Sequence, residues 1–474
     1  MKKTSHFLFA AITVLAIVFS CGKPENNNKE ENQEQNQGQE EIELEPFQYS
    51  CTLASENHIF EGKPVFNLHL VNPNAVAATA EIKLTINTDK NKKYVTVELE
   101  QELAAKSSAD IALTTADNLA PGFYRATGKV GKKTFLSSVP FGVDPFQIVS
   151  APDKQDDFDA FWDAAYDQLK GVDMNVSFVP TKYSGTYMVV MQSIPDGLEG
   201  DPMVIRGYYV EPVADGKKHP AIVHYYGYDD FPGTGKLYCP SGQSDFAHLY
   251  LSTRGQRLNA RVATLRDDGI EEDYVNPYDK QWFTVNFGDK DSYYYRGAYM
   301  DCVQGIRFLA LCEDEKVKGR IDTDNIFVEG MSQGGAFSYA ATALSKEYPV
   351  RALAAAVAFM GDFPDYFVIA ANDGGGFPYM AQTCKKELSW DDAKMYAFLS
   401  YFDTKNLATR VNCPIMACIG LMDRICPAHT NIAPYNNALT PAADKQMTFY
   451  PNMDHAVPNN WDSSTRQFFK NNMK

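Results

Sequence analysis

The sequence of 474 residues is poor in cysteine and in basic side chains. Its nine cysteines include no C-x-x-C pair, which argues against a disulfide scaffold, a zinc ribbon and a thioredoxin-like redox site. Lys and Arg number 44 against 60 for Asp and Glu, so the formal net charge is -16. Because such a surface repels phosphate backbones, we expect no nucleic acid among the partners of this protein.

Long apolar runs are also lacking near the N-terminus, where residues 7–19 form a stretch of only 13 residues. As a helix this stretch would span about 20 Å, less than the roughly 30 Å of a bilayer core. Two lysines precede it, and the pattern is typical of an export signal over residues 1–20. The end of the run resembles a bacterial lipoprotein signal in which Cys21 is lipidated. A plain secretory signal with an incidental cysteine is the alternative.

Residues 21–46 consist almost wholly of Lys, Glu, Asn, Gln, Gly and Pro, with no aromatic residue. Such a segment cannot bury enough apolar surface to offset its ordering entropy. It is therefore interpreted as a disordered acidic tether between a membrane anchor and folded domains. We expect a lipid-anchored protein of the cell envelope, on either the periplasmic or the cell-surface face of the outer membrane.

Residues 47–148 alternate apolar and polar side chains, as half-buried strands do. Phe66, Leu68 and Leu70 alternate with Asn67 and His69, and similar runs recur between turn signals. About seven short strands in this length favour an immunoglobulin-like β-sandwich. No cluster of His, Ser and carboxylates lies here, so the predicted role is that of an accessory domain.

Residues 149–474 alternate strand-like and helix-like patterns. Apolar residues of the segment 158–169 recur at helical spacing, and a closing helix is predicted after Trp461. Strands are predicted at 188–194, 204–210, 221–226, 326–328, 352–359, 414–419 and 447–450. This alternation indicates an α/β fold, with a mostly parallel sheet and helices on both faces.

A G-x-S-x-G motif surrounds Ser332, after a predicted strand and before a helical run. This context is typical of a nucleophile elbow, a tight turn that exposes the serine hydroxyl and needs glycine on either side. A serine nucleophile needs a base, and only His429 and His455 follow it in the chain. His455 comes directly after a predicted strand, whereas His429 is interpreted as a turn or surface histidine.

The chain order nucleophile, acid, histidine requires a carboxylate between Ser332 and His455. Asp423 follows the strand 414–419 and is the predicted acid, since its rival Asp454 adjoins His455 and would point elsewhere on an extended chain. The oxyanion of such a reaction needs two donors. We predict the backbone N–H of Gln333 and that of Tyr228.

Several motifs from residue 153 onward make the chain resemble the acetyl xylan esterase and cephalosporin C deacetylase family of α/β-hydrolases. The resemblance rests on Arg254-Gly255-Gln256, Tyr293-Tyr294-Tyr295-Arg296-Gly297, Ser332-Gln333-Gly334-Gly335 and Gly420-Leu421-Met422-Asp423. It implies that Ser332, Asp423 and His455 form the triad and that Tyr228 contributes to the oxyanion hole. Arg254 and Gln256 are then expected to support the loops around the triad.

Two positions depart from this family. Tyr226 replaces a histidine before Gly227-Tyr228, and Ala456 replaces a glutamate after His455. Neither change removes a triad group, so activity is expected while substrate choice is left open. The glycine-rich segment 373–378 is either a flexible loop that shapes the pocket or an ordinary surface loop.

The leading hypothesis is an exported serine esterase that removes acetyl or other short acyl groups from carbohydrate such as xylan. The alternatives are a broad α/β-hydrolase or peptidase and a non-catalytic glycan-binding lipoprotein. The sequence lacks the repeats of a propeller, which prolyl-peptidase relatives would add. The expected partners are an acetylated carbohydrate or small ester, the membrane through the lipid, and a second copy in a homo-oligomer. The chemistry needs no cofactor and no metal.

Overall fold

The computed structural model describes residues 44–228, 239–256, 258 and 276–474. The predicted signal, the lipidation candidate Cys21 and almost all of the tether lie outside these residues. Within the described ranges, no helix combines the length and the apolar character needed to cross a membrane.

The N-terminal part is an all-β unit of eight strands in two sheets. One sheet has the order β1-β3-β6 and the other the order β2-β8-β7-β4-β5. The alternation predicted around Phe66 is confirmed, because Phe66, Leu68 and Leu70 are buried between exposed polar neighbours. The strands are β1 (Gln48–Leu53), β2 (Ile59–Phe60), β3 (Val65–Val71), β4 (Ala78–Thr88), β5 (Lys93–Leu103), β6 (Ser108–Thr114), β7 (Gly122–Val130) and β8 (Lys133–Val143).

The rest of the described chain is built on a nine-stranded sheet. Its strands are β9 (Ser177–Pro180), β10 (Thr186–Ser193), β11 (Met203–Val210), β12 (His219–Tyr225), β13 (Ala247–Ser252), β14 (Ile321–Met331), β15 (Ala352–Ala356), β16 (Ile415–Gly420) and β17 (Lys445–Tyr450). The order is β17-β16-β15-β14-β12-β13-β11-β10-β9. Strands β12 to β17 pair in parallel, whereas β9, β10 and β11 pair antiparallel at one edge. The predicted mostly parallel sheet is confirmed.

Helices cover both faces of this sheet. They are α1 (Phe158–Lys170), α2 (Tyr294–Leu311), α3 (Gln333–Leu344), α4 (Phe363–Asn372), α5 (Gly376–Glu387), α6 (Asp392–Leu399), α7 (Thr404–Leu407), α8 (Ala428–Asn437) and α9 (Trp461–Asn471). Alternate residues of β14 face opposite sides: Ile326 and Val328 join a large core with α2 and α3, and Phe327 packs with Phe469 of α9. Because parallel strands end at the same edge, the loops after β12, β14, β16 and β17 meet there.

The all-β unit contacts the α/β unit directly. Lys90, in the turn between β4 and β5, pairs with Asp365 of α4. The side-chain amide of Asn436 on α8 donates to the carbonyl oxygens of Pro145 and Ile148, both at 3.0 Å. The segment after β8 is therefore tied to the helix that follows β16.

Candidate active site

Ser332 stands in a strained turn between β14 and α3. Its φ of 57° and ψ of -123° are unusual for a residue with a side chain. Its N–H donates to the carbonyl oxygen of Ala356 at 3.0 Å. A Cβ on Gly330 would lie 2.4 Å from the backbone of Gly334, and one on Gly334 would lie 2.2 Å from the carbonyl oxygen of Tyr225. Only glycine fits at these two positions, as the motif predicts.

Asp423 and His455 come together from the loops after β16 and β17. The Nδ1 atom of His455 lies 2.8 Å from Oδ2 of Asp423, whose side chain is fully buried. The other carboxylate oxygen of Asp423 accepts the backbone N–H groups of Ile425 and Cys426 at 2.9 and 2.8 Å. These bonds fix the orientation of the carboxylate and, through it, that of the imidazole.

Asp454 does not reach the imidazole. Its side chain is exposed and accepts the backbone N–H of His455 at 2.9 Å. Of the two carboxylates weighed from the sequence, Asp423 is the one that bonds to the histidine ring.

The interpretation of His429 as a turn or surface residue is wrong. It is buried at the start of α8, where its Nε2 lies 3.1 Å from Asp362 and 3.2 Å from Asp365. Burial alone would lower the pKa of His429, but the hydrogen bonds to these two carboxylates outweigh it and raise the pKa to about 9. The two carboxylates therefore stabilise the protonated ring, which burial alone would disfavour.

The same three side chains are a candidate metal site, since their ligand atoms lie within 4.8 Å of one another. However, Nζ of Lys405 already lies 3.0 Å from Asp362, and a metal would need the neutral imidazole of His429. The raised pKa of His429 keeps that ring protonated at neutral pH. The cluster therefore balances its charges by ion pairing.

Ser332 and His455 line one cavity of about 1020 Å³. Around the serine the wall is largely apolar, with Tyr228 and Phe377 in edge contact at 5.1 Å between ring centroids. The Sγ atom of Cys426 lies 4.0 Å from Oγ of Ser332. Burial raises the pKa of the Cys426 thiol well above 9, so this neighbour is a neutral thiol and not a competing nucleophile.

The two residues predicted to supply the oxyanion donors are Gln333, which follows the serine, and Tyr228, which lines the same cavity. Gln333 is the first residue of α3, so its N–H has no partner within the helix and sits at the positive end of the helix dipole. Gly227 passes the serine so closely that an added Cβ would lie 3.7 Å from Cβ of Ser332. Its neighbour Tyr228 lines the cavity at the same place.

Arg254 and Gln256 support the surrounding loops. Buried Arg254 makes two bonds to the carboxylate of Asp301, Nε–Oδ2 at 2.9 Å and Nη2–Oδ1 at 2.8 Å. Gln256 accepts the N–H of Thr253 at 3.0 Å, and its Nε2 donates to the carbonyl oxygen of Gly227 at 3.2 Å. Gln256 thus connects the Arg254 turn to the loop that carries Tyr228.

The glycine-rich segment is shorter than predicted, because α4 ends at Asn372 and α5 begins at Gly376. Residues 373–377 all line the cavity. This position agrees with the interpretation of the segment as a loop that shapes the pocket, and not with that of an ordinary surface loop.

Comparison with known proteins adds the family. The family model described as acetyl xylan esterase matches residues 147–473. The chain belongs to the acetyl xylan esterase family. A curated relative, acetyl esterase Axe7A of Xylanibacter ruminicola, is 26% identical over 329 residues, which are 68% of each of the two chains.

Two solved structures support the α/β-hydrolase fold. Acetyl xylan esterase 1 from Thermoanaerobacterium sp. is 21% identical and superimposes with a TM-score of 0.55 over 69% of this chain and 98% of its own. The acetyl xylan esterase from Paenibacillus sp. R4 is 24% identical, with a TM-score of 0.53 and the same coverage. The chain is thus an enzyme, a carboxylic ester hydrolase.

The two departures from this esterase family have different surroundings. Ala456 is exposed beside His455. Tyr226 lies in the cavity wall, with its ring centroid 6.5 Å from that of Tyr250, and burial raises the pKa of its hydroxyl well above 10. The tyrosine therefore adds a neutral ring where the family has an imidazole.

Proposed function

We propose that this protein is a serine esterase that removes acetyl groups, or other short acyl groups, from acetylated carbohydrate such as xylan or xylo-oligosaccharides. The observation that carries the proposal is that His455, which is bonded to Asp423, lines the same cavity as the strained Ser332. Membership of the acetyl xylan esterase family supports the acetyl group and the carbohydrate.

In the proposed mechanism, Oγ of Ser332 attacks the ester carbonyl while Nε2 of His455 accepts the hydroxyl proton. Asp423 holds the ring by Nδ1 and stabilises the imidazolium that forms. The N–H groups of Gln333 and Tyr228 stabilise the oxyanion of the tetrahedral intermediate. When that intermediate collapses, the proton on His455 passes to the sugar oxygen and an acyl-serine remains. A water molecule then attacks the acyl-serine while His455 accepts its proton. When this second intermediate collapses, the proton returns to Oγ of Ser332 and the acid is released.

The all-β unit is proposed to be an immunoglobulin-like accessory domain, supported by its two packed sheets. Export, lipidation of Cys21 and attachment to the outer membrane rest on the sequence pattern of residues 1–46. Mass spectrometry of the mature protein tests them. A first residue other than Cys21, without acyl chains, would refute the anchor.

The activity is tested with the purified protein and the Ser332→Ala variant. Substrates are a series of p-nitrophenyl esters of increasing chain length and, in parallel, acetylated xylo-oligosaccharides. We expect the parent to release acetate from both, with rates that fall as the acyl chain lengthens, and Ser332→Ala to be inactive.

A matched control is Ser338→Ala, on helix α3 directly after the turn of Ser332 but outside the cavity wall, with its hydroxyl bonded to the carbonyl oxygen of Gly334 at 3.0 Å. It should keep the parent activity. Hydrolysis that survives Ser332→Ala would refute the nucleophile. Absence of any esterase activity in the parent would favour the peptidase or the glycan-binding alternative.

A further inference from the structure

The active-site cavity continues well past the serine. An acetyl group fills a small part of a space of about 1020 Å³, which is a volume typical of sites for much larger ligands. Beyond Ser332 the cavity follows the β12, β13 and β14 strands to helix α9. This part of the cavity, called the polar arm, has apolar and aromatic lining from Ile222, Tyr226, Val457 and Trp461. Its polar lining comes from His224, His248, Tyr250, Glu329, Asp462 and Arg466.

A chain of hydrogen bonds orders the floor of the polar arm. His224 Nδ1 lies 2.6 Å from Oε1 of Glu329, His224 Nε2 lies 2.9 Å from Nδ1 of His248, and His248 Nε2 lies 3.0 Å from Oγ of Ser244. Burial lowers the pKa of His248 well below its usual 6.5, so that ring is neutral. A neutral imidazole has one donor and one acceptor nitrogen, so His248 donates one of its two ring bonds and accepts the other.

Glu329 keeps acceptor capacity beyond its bond to His224, because a carboxylate has about four lone-pair positions on two oxygens. It precedes Ser332 by three residues on β14, which is about 10 Å of extended strand. A part of the ligand bound next to Glu329 would therefore lie close to the ester group at Ser332.

An aromatic surface stands beside this carboxylate. The rings of Tyr250 and His224 are stacked, with centroids 4.1 Å apart and an interplanar angle of 6°. Burial, with a further contribution from the carboxylates of Glu329 and Asp462, raises the pKa of Tyr250 to about 12. Its hydroxyl is therefore neutral and can both donate and accept a hydrogen bond.

Asp462 and Arg466 complete the far end of the polar arm from α9. They are four residues apart, so they lie on the same helix face, and both are exposed. The arm thus contains hydrogen-bond acceptors, donors and aromatic rings, with the carboxylates of Glu329 and Asp462 near the guanidinium of Arg466. A long acyl chain would bury these polar groups without partners, and an anionic ligand would meet Glu329 and Asp462.

We infer that the polar arm binds the carbohydrate portion of the ester, the neutral polyhydroxylated leaving group, while the acyl group lies against the apolar wall near Tyr228 and Phe377. This inference rests on the proposed esterase function. Glu329, Tyr250 and Arg466 would bond to sugar hydroxyls of the unit that neighbours the acetylated one. They are binding residues that discriminate between a saccharide ester and a small ester.

The test compares Arg466→Ala and Glu329→Gln with the parent on acetylated xylo-oligosaccharide and on p-nitrophenyl acetate. We expect the ratio of the two kcat/KM values to fall at least tenfold in either variant, through a higher KM for the saccharide. Gln467→Ala is the matched control, since Gln467 adjoins Arg466 on α9 but bonds to Asn471 and is outside the cavity wall. It should leave the ratio as in the parent.

Binding is measured separately, by calorimetry of xylotetraose with the Ser332→Ala protein with and without Arg466→Ala. We expect at least tenfold weaker binding in the double variant. An unchanged ratio of the two kcat/KM values, whether or not both fall, or unchanged binding of xylotetraose would overturn the inference. A parent that hydrolyses neither ester would instead refute the proposed function. Because Arg466 is exposed, its variant keeps the test valid even if Glu329→Gln fails to fold.

Discussion

Arg125 of the all-β unit lies 3.8 Å from Asp373 of the α/β unit, measured from Nη2 to Oδ2. Asp373 is followed by three glycines that line the active-site cavity, and α4 before it also carries Asp365, the partner of Lys90. The all-β unit therefore contacts the segment that forms one wall of the pocket.

This contact predicts an effect of Arg125→Ala on substrate binding. A partly exposed ion pair contributes about 0.2–1 kcal/mol, so we expect KM to rise by up to about fivefold with little change in kcat. Steady-state kinetics on p-nitrophenyl acetate measure it. Lys83→Ala is the control, because Lys83 pairs with Glu98 within the all-β sheet at 2.6 Å. Equal effects of the two substitutions would contradict a role of Arg125 at the pocket.

Replacing Asp423 and Asp454 in turn tests which of these two carboxylates is the acid of the triad. Asp423→Asn removes the acceptor of His455 Nδ1–H, and we expect kcat to fall by about 10³- to 10⁴-fold, because the imidazole then loses its orientation and its charge partner. Asp454→Asn alters an exposed side chain that bonds only to the backbone N–H of His455 in the described structure, and we expect less than a twofold effect. Comparable losses in both variants would mean that Asp423 is not the acid of the triad.

Much of this site was predictable because its residues lie in short sequence patterns that can be recognised without the rest of the fold. An added Cβ at Gly330 or Gly334 would lie only 2.4 or 2.2 Å from backbone atoms, so the motif requires glycine at both positions. Asp423 and His455 each follow a strand that could be recognised in the sequence. The strand positions agreed to within a few residues for β10, β11, β12, β16 and β17.

Other features depend on residues that are distant in sequence. His224 and Glu329 are 105 residues apart and meet only because β12 and β14 pair in parallel, with these two residues in register. The burial of a charged His429 likewise depends on Asp362, which precedes α4, and on Asp365 within α4. No local pattern in the sequence contains such pairings.

Gln256 is predicted to act through the oxyanion loop. Its Nε2 bonds to the carbonyl oxygen of Gly227, so Gln256→Leu would free the loop that presents the N–H of Tyr228. We expect kcat to fall roughly 10- to 100-fold, less than the loss of a donor itself, while KM stays within about twofold. Gln155→Leu is the control, since Gln155 bonds to Asp153 and Ser400 instead. A rise in KM at constant kcat would contradict this positioning role.

Gly297 is predicted to be required for stability. A Cβ at this position would lie 1.9 Å from Nη1 of Arg254, whose guanidinium is paired with buried Asp301. Gly297→Ala should therefore disrupt a buried ion pair and lower the free energy of unfolding by about 3–5 kcal/mol. Urea denaturation measures the change. Gly171→Ala, with its nearest contact at 3.4 Å, should have little effect, and an equally mild Gly297→Ala would show that Arg254 can move.

The buried pair of His429 with Asp362 and Asp365 predicts a pH-dependent stability. The folded-state pKa of about 9 lies above the usual 6.5, so the contribution of the charged ring is complete below pH 6.5 and is lost as pH rises through 9. Asp89, Lys90 and Lys405 also face this cluster, in which the three aspartates outnumber the two lysines.

The measurement is the free energy of unfolding of the parent and of His429→Gln at pH 6, 7.5 and 9.5. We expect the parent to be more stable at pH 6 and its advantage to shrink by up to about 3 kcal/mol towards pH 9.5, because the neutral ring no longer compensates the two carboxylates. His69→Gln, at an exposed site on β3 beside Asp110, is the control for replacement of a histidine outside a buried cluster. An advantage that stayed constant across this range would mean that His429 is bound in its neutral form throughout.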